Sequence, residues 1–556
     1  MIQKYAPVHR LNYLLYLLVG IFSLTACFEQ KYRKAVAENL HLQLDALQSD
    51  SLLVAGEPLY QTDLITEIYR KGGEYLSPKW QNPENIRQLL EAIRSSVNDG
   101  LQPEDYHLNS IEMLITSIRD NDLGSAAEMA QLEILLTDAF ILLSSHLAAG
   151  KVDPLSINAQ WHAARRALPY AWDTYLDSVL LVGNVAESFE ALRPRHAQYQ
   201  QLKLALKKYR KIAEDGGWAS FETQHKKLEK GMVLPEIAAL RERLSATQGH
   251  FEPDTENPLL FDQSLFDQVV LFQTRNGLPN DGVIGPRSIQ ALNLNVTDRI
   301  ATIEANLERW RWVDDELGRK HILVNIANFS MQLIENDSVL FETEAIVGKT
   351  YRKTPVFSGS MNHVVFNPDW TVPPGILRND VIPAVLKNRG YLAEKNMQLL
   401  GRDGKEIHPA SVDWKQISPS NFPYMVRQRP GKDNALGKVK FMFPNTHNVY
   451  IHDTPTRNLF SQTDRAFSSG CIRINRPIDF AKMLLEADGS ATAAQIDQIL
   501  ARPDTRTIRM KEHMPVHLLY LTAWADEFGT AYFRPDVYER DAALVVALKR
   551  RFNEEA

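Results

Sequence analysis

Beyond residue 27, this 556-residue chain contains a single cysteine, Cys471. No internal disulfide is available to the body of the protein, so packed apolar cores must hold it together. A chain of this length forms several such cores rather than one. Hydrophobic residues at 44% and charged residues at 23% give the balance of an ordinary globular protein. A net charge of −6 leaves no electrostatic footprint for nucleic acid. The same scarcity gives the thiol chemical weight. Cys471 sits in Phe467-Ser468-Ser469-Gly470-Cys471-Ile472-Arg473-Ile474, nineteen positions after His452 in Val449-Tyr450-Ile451-His452-Asp453-Thr454-Pro455. A lone Cys with a His elsewhere is the pattern of a nucleophile and its base. The alternative is a buried Cys acting as a small hydrophobe. The polar Ser-Ser-Gly approach and Arg473 do not supply the apolar neighbours that role needs.

The first residues read as an export signal. Lys4, His9 and Arg10 precede an apolar stretch over residues 11–24, and 14 residues fall short of the roughly 20 needed to span a bilayer. Leu24-Thr25-Ala26-Cys27 resembles a bacterial lipobox, in which the Cys is lipidated and becomes the mature N-terminus. An ordinary signal cut nearby and an uncleaved anchor are the alternatives. Phe28 rather than Asp after Cys27 implies, by that resemblance, sorting to the outer membrane. The expectation is a periplasmic protein anchored by one lipidated terminus. No second apolar run is expected to approach membrane length, so everything past Cys27 should be soluble.

Residues 29–246 are patterned as helix. Ile86, Leu89, Leu90, Ile93 and Val97 share one face, and residues 129–147 are apolar nearly all round, as in a helix buried among others. His107, His146 and His162 lack metal-ligand spacing, so no metal site is expected, nor any cofactor. A polar segment at 249–258 marks a boundary. It is followed by a helix through Phe266, Val269, Val270 and Phe272, a loop Asp281-Gly282-Val283-Ile284-Gly285-Pro286, and a helix to Leu292. This unit resembles the peptidoglycan-binding type 1 module; a hairpin that merely connects its neighbours is the alternative. After a helix at 298–312 the period changes to two. Residues 321–335 alternate, Asn336-Asp337 turns the chain, and 339–347 alternate again, with further strands at 363–367, 439–443 and 449–452. The insertion at 376–426 breaks this pattern and reads as a mobile lid over Cys471.

The expected fold is therefore multidomain α+β: a helical N-terminal scaffold, a small helical module, and a mostly-β catalytic domain with an inserted lid. The divisions are a signal peptide at 1–26, a linker at 27–60, the scaffold at 61–247, the module at 248–297 and a connecting helix at 298–318. The catalytic domain then spans 319–508, and a C-terminal extension at 509–556 packs on the scaffold and catalytic domains.

Cys471 and His452 at strand ends can meet on rigid supports, although a strand-terminal His that only caps the sheet is the bland reading. A thiol needs a proton acceptor to become a thiolate. Backbone N–H groups around Gly470 and Cys471 can form an oxyanion hole, worth roughly 3–4 kcal/mol per donor. Those parts specify acyl transfer through a thioester.

The motif Ser468-Ser469-Gly470-Cys471-Ile472-Arg473 with His452-Asp453-Thr454-Pro455 resembles the signature of L,D-transpeptidases with the YkuD fold. Further segments resemble the YcbB-type subfamily: residues 99–106, Trp370-Thr371-Val372-Pro373-Pro374, Gln428-Arg429-Pro430-Gly431, Asn434-Ala435-Leu436-Gly437, residues 520–524 and Tyr532-Phe533-Arg534. The resemblance implies Cys471 as nucleophile, His452 as proton acceptor and donor, and the Asp453 backbone carbonyl as orienter of the imidazole. Trp370 and Tyr450 would line the donor site, with core packing as the alternative. Arg473 would favour the thiolate or bind a substrate carboxylate, with a structural ion pair as the alternative. Many members have His where this chain has Ser469, which leaves Ser469 as a candidate substrate contact. The implied partners are peptidoglycan stem peptides and glycan strands, other cell-wall synthesis proteins, and a membrane through the lipid. The implied reaction is a 3→3 cross-link. A hydrolase on the same Cys–His site and a non-catalytic wall-binding lipoprotein are the competing readings; an intact Cys–His pair speaks against the latter.

Overall fold

A computed structural model describes residues 26–47, 53–70, 77–120, 125–157, 159–162, 166 and 171–550, with side chains from residue 32 onward. The expected signal stretch over residues 1–25 lies outside the described residues, and of Cys27 only the backbone, within a helix, is described. Among the described residues the apolar side chains gather into four separate cores.

The first core belongs to the N-terminal helices and is centred on Ala126–Ala149. Ser125 starts that helix with a reciprocal capping box: its hydroxyl accepts the Glu128 N–H at 3.1 Å and its own N–H donates to Glu128 at 2.8 Å. Gly150 ends it at φ +89, where a Cβ would lie 2.7 Å from Glu308 Oε1 and Trp312 Nε1. Contrary to expectation, this second apolar run is long and apolar enough to cross a bilayer; 94% of its most apolar window is nonetheless buried inside the protein. Its polar residues are satisfied there, Glu133 by the Tyr69 hydroxyl at 2.8 Å and Asp138 by His107 Nε2 at 2.7 Å. The stretch 27–60 is not a linker. Helix Ala26–Ala46 buries Val36, Leu40 and Leu44, and the hairpin Leu53–Val54/Glu57–Pro58 buries Val54, with Leu40, Leu44 and Val54 in the same core.

The small module draws its core from Phe221 to Leu292, so the boundary placed at 247/248 cuts through it. Helix Glu236–Gln248 packs there through Ile237, Leu240 and Leu244. Gln273 staples the glycine loop, accepting from Gly282 N at 2.9 Å and donating to Asp281 Oδ1 at 3.0 Å and Val283 O at 2.9 Å.

The largest core fills a nine-stranded sheet: β1 Lys320–Asn325, β2 Ser330–Glu335, β3 Ser338–Gly348, β4 Phe357–Phe366, β5 Val439–Met442, β6 Ile451–His452, β7 Ala466–Ser468, β8 Ile472–Ile474 and β9 Arg506–Leu519. The order is β7-β3-β8-β6-β5-β4-β9-β1-β2, and β2 pairs back onto β3, so all but β7 close into a ring. The alternation at 321–335 is two strands rather than one, because buried Ile326, Ala327 and Phe329 carry the apolar pattern through the turn between them. Asn336 and Asp337 both take positive φ, +48° and +60°, as a tight two-residue hairpin loop requires. The boundary at 508 also needs correction. Strand β9 lies between β4 and β1, so 509–519 is the middle of the sheet, and only the chain beyond Leu519 packs outward on the helices.

The insertion is a structured unit. Trp370–Thr371, Met397–Leu400, Glu406–Ile407 and Met425–Gln428 make a second sheet over a fourth core that includes Val381, Val385 and Leu399.

A buried ionic network joins the N-terminal helices to the barrel through helix Val296–Trp312. The fully buried Asp99 carboxylate meets Arg193 at 2.8 Å, Lys203 at 2.9 Å and the Tyr199 hydroxyl at 3.0 Å, while Arg311 donates to the Asp99 carbonyl at 2.8 Å and pairs with Glu308 at 2.6 Å. Burial alone pushes the Asp99 carboxyl up, yet Arg193 and Lys203 hold it below the usual carboxylate range. Removing one member leaves the others buried and uncompensated. Asp99→Asn is expected to destabilise this unit by about 3–5 kcal/mol in urea unfolding; a loss well under 1 kcal/mol would show that the network is not holding the junction.

Candidate active site

The register of two short strands builds the site. Strands β6 and β8 run parallel, pairing Ile451 with Ile472 and His452 with Arg473. Ile451 and Ile472 point into the barrel core and are fully buried. Alternation then turns Tyr450, His452, Cys471 and Arg473 to the opposite, outer face. Lys440 pairs with His452 from β5 and joins them on that face. Five side chains of useful chemistry thus meet without any being adjacent in sequence.

His452 is buried, and its Nδ1 lies 2.5 Å from the Asp453 carbonyl. Nδ1–H donates there, which leaves the Nε2 lone pair free to take a proton. The Asp453 backbone is itself pinned by its own carboxylate, which accepts from Lys438 N at 2.7 Å and Thr454 N at 2.6 Å and pairs with Arg457 at 2.5 Å. That carboxylate occupies the space above Gly437, at φ +60, where a Cβ would lie 2.3 Å from it. Burial, then the positive charge of Arg473, lowers the imidazole to about 3, against the pull of the Asp453 carbonyl. Burial likewise pushes the Cys471 thiol up, although Tyr450, Lys440 and Arg473 all favour its thiolate. Both shifts favour the neutral form, thiol and imidazole alike.

Cys471 Sγ lies 3.7 Å from the Asn448 carbonyl. The turn that presents it is set by Ser468, whose buried hydroxyl donates to the Cys471 carbonyl at 2.6 Å and accepts the Gly470 N–H at 3.1 Å. Gly470 takes φ +115, a conformation that glycine tolerates and other residues rarely adopt. Its N–H is therefore spent inside the turn and does not serve as an oxyanion donor; the backbone donor left at this position is that of Cys471. Thr354 fixes the Gly470 carbonyl at 2.9 Å, and Tyr538, from the C-terminal region, holds Thr354 N at 3.1 Å and Gly348 O at 2.6 Å.

Trp370 and Tyr450 come together at the site, the indole hydrogen-bonding the Tyr450 hydroxyl, which also contacts Cys471. Trp370 belongs to the inserted unit, so that unit reaches the surroundings of Cys471. Arg473 lies beside Cys471 and makes no ion pair among the described residues; its Nε is buried without a partner. Ser469 stands apart. It is exposed and bonded to Arg352 at 3.0 Å, and Arg352 pairs with Asp380 of the insertion at 2.8 Å. Sequence reasoning missed Lys440, Ser468, Thr354 and Arg352. Lys440 alone left a signal, as the one cation alternating with buried Val439 and Phe441 in β5; its ammonium lies 4.0 Å from the Tyr450 ring.

A family model for the L,D-transpeptidase catalytic domain (YkuD) matches residues 319–498, and one for a Scaffold domain matches residues 63–206. A Haemophilus influenzae protein assigned as an L,D-transpeptidase is 35% identical over 295 residues, covering 52% of this chain and 57% of its own length. The chain therefore spans little more than half of that relative. A solved L,D-transpeptidase structure (residues 123–326) from Xylanimonas cellulosilytica aligns at 15% identity over 54% of this chain and all of its own, with a TM-score of 0.16, too weak a likeness to rest anything on. Residues 319–498 belong to the YkuD family of L,D-transpeptidase catalytic domains, and this chain joins them to a Scaffold domain.

Proposed function

We propose that this protein is an L,D-transpeptidase that forms 3→3 cross-links between peptidoglycan stem peptides through a thioester on Cys471. The observation that carries the reading is the neutral His452, tied through Nδ1 to the Asp453 carbonyl, on the same sheet face as the only described thiol. As Sγ attacks the carbonyl of the third stem residue, its proton passes to Nε2. The carbonyl oxygen gains negative charge beside the Cys471 N–H and the cations Lys440 and Arg473. Collapse breaks the bond to the terminal D-Ala, whose amine takes the proton back from the imidazolium. The side-chain amine of a second stem then attacks the thioester, gives its proton to Nε2, and releases the thiol. Each well-placed donor to the oxyanion contributes roughly 3–4 kcal/mol.

Transfer is favoured over hydrolysis by the roof that Trp370 and its unit set over Tyr450 and Cys471, since water reaching the thioester would give a carboxypeptidase. The product decides. With a disaccharide tetrapeptide as sole substrate, mass spectrometry is expected to show cross-linked dimers; free tripeptide alone would make the enzyme a hydrolase. Cys471→Ala should abolish both products, and His452→Ala should lose at least about 10⁴-fold, since the pair acts as a unit.

The resting protonation states are separately testable. With the thiol pushed up by burial and the imidazole lowered to about 3, no thiolate–imidazolium pair is expected at rest. Alkylation of Cys471 by iodoacetamide should be slow at pH 7 and rise through and beyond the ordinary thiol range. A plateau beginning near pH 6 would reveal a preformed ion pair.

We also propose that Cys27 carries a diacylglyceryl group and anchors the protein to the outer membrane from the periplasm. Membrane fractionation with mass analysis should find the lipid on the native chain and not on Cys27→Ser. A native chain that is freely soluble would sink the anchor and leave the chemistry untouched.

A further inference from the structure

Away from Cys471, where the small module meets the other helices, a cavity of about 260 Å³ is lined by Lys208, Arg243, Arg275 and Arg299 and by no acidic side chain. Its walls come from helices Ala197–Glu214, Glu236–Gln248, Gln263–Arg275 and Val296–Trp312 and from the end of the hairpin Ala523–Ala525/Ala531–Phe533.

Apart from Arg540, which rests against the Tyr520 and Tyr538 rings with no ion pair among the described residues, the most deeply buried arginines elsewhere in this protein are neutralised: Arg193 by Asp99, Arg241 by Asp262, Arg309 by Asp541 and Arg311 by Glu308. The cavity arginines are not. Arg243 and Arg299 are only 4% and 8% exposed, yet neither they nor Arg275 has an ion-pair partner among the described residues. Arg243 spends Nε on the Leu292 carbonyl at 2.8 Å and lays its plane 4.0 Å from the Trp218 ring. Its Nη1, like Arg275 Nε, is buried without a hydrogen-bond partner. Arg299 donates to Asn276 at 2.5 Å and stacks 4.3 Å from Phe533. Aromatic faces thus hold two of these guanidinium groups in place, and donors are left over. Burial, then the neighbouring charge of Arg299, lowers Arg243 to about 10, as expected of a cation short of counter-charge.

A buried charge is costly unless it is paired and hydrogen-bonded. Guanidinium forks match the oxygens of carboxylates and phosphates, which they bind with charge-assisted bonds. We infer that this cavity is a binding site for one small oxyanion, a carboxylate or phosphate group held by Arg243, Arg275 and Arg299 with Lys208 at the rim. The volume suits a head group and not a polymer. The anion is either free in solution or the carboxylate of a peptide stem; the second source rests on the proposed transpeptidase function. Because four helices and a hairpin contribute walls, occupancy would lock the module against the rest of the chain, and ligand bound only by the folded state raises its stability.

The test uses the full chain in detergent carrying Cys471→Ala, so that no turnover occurs. Thermal unfolding is followed against sodium phosphate, with sodium chloride at matched ionic strength as control, and calorimetry is run with a diaminopimelate tetrapeptide. Each is repeated with Arg243→Gln added. It is repeated again with Lys208→Glu, an exposed position whose change places a carboxylate at the cavity mouth without disturbing the core. Binding of either probe is expected to weaken at least about tenfold in both variants. A phosphate response that they lose identifies a free anion, and a tetrapeptide response that they lose identifies a stem carboxylate. Parent and variants responding alike to both probes would overturn the site. Carbapenem acylation of Cys471, measured in the otherwise native chain with Lys208→Glu, should be unchanged, so failure of the anion site and failure of the proposed chemistry are told apart.

Discussion

The parallel pairing of β6 with β8 is the constraint on which the site depends. Two backbone registers, Ile451 with Ile472 and His452 with Arg473, decide that a histidine and a cysteine nineteen residues apart share one face. A one-residue slip would turn Cys471 into the core and an isoleucine out to the site. The slip is resisted because Ile451, Ile472 and Ile474 are fully buried in the barrel, so the apolar interior fixes which side chains face outward. Parallel neighbours need a crossover between them. The stretch between β6 and β8 supplies it and carries β7, whose pairing with β3 brings Ser468 to the turn before Cys471. The shape of that turn is then maintained from three directions: Ser468 within it, Thr354 beneath it, and Tyr538 from the far end of the chain.

Charge buried at junctions divides into two kinds in this molecule. Around Asp99 the cations and carboxylates are matched, and the network reads as an internal fastening between the N-terminal helices and the barrel. Around Arg243 they are unmatched, although burial is comparable. The desolvation cost is similar in the two places, but only one of them repays it with partners inside the chain. That difference separates a structural ion cluster from a site that takes an anion from outside.

The sequence made the barrel and the residues of its candidate site legible for a physical reason. Strand alternation and the Asn336-Asp337 turn are local signals, and Cys471 and His452 stand out because few side chains can do their work. What stayed hidden depends on long-range packing. Residues 27–60 read as a linker because helix Ala26–Ala46 presents only a narrow apolar stripe, and its burial shows only once Ala126–Ala149 lies against it. Strand β9 read as the start of an extension because its outer half, residues 506–513, is largely exposed and polar, and its place in the sheet comes from pairing with β4. The module boundary failed at a polar stretch that merely loops out between helices of one core. Ser469 drew attention by its nearness to Cys471 in sequence, yet alternation and the Gly470 bend send it outward to Arg352, while Ser468 does the structural work. Gly470 looked like an oxyanion donor, but hydrogen-bond accounting assigns its N–H to Ser468.

The two cations beside Cys471 act in opposite senses on its partners. Lys440 and Arg473 stabilise a thiolate, and the same charges oppose an imidazolium at His452. At rest the second effect joins with burial, and both favour keeping the proton on sulfur. A substrate carboxylate placed against Arg473 would cancel the repulsion felt by His452 and make Nε2 a better base at the moment when an acyl group is in reach. Trp370 and Tyr450 would at the same time keep that exchange of charge away from water, where it would be screened. On this account the buried, unpaired Arg473 Nε is the counterpart of the weak resting base, since both are completed by the same negative charge.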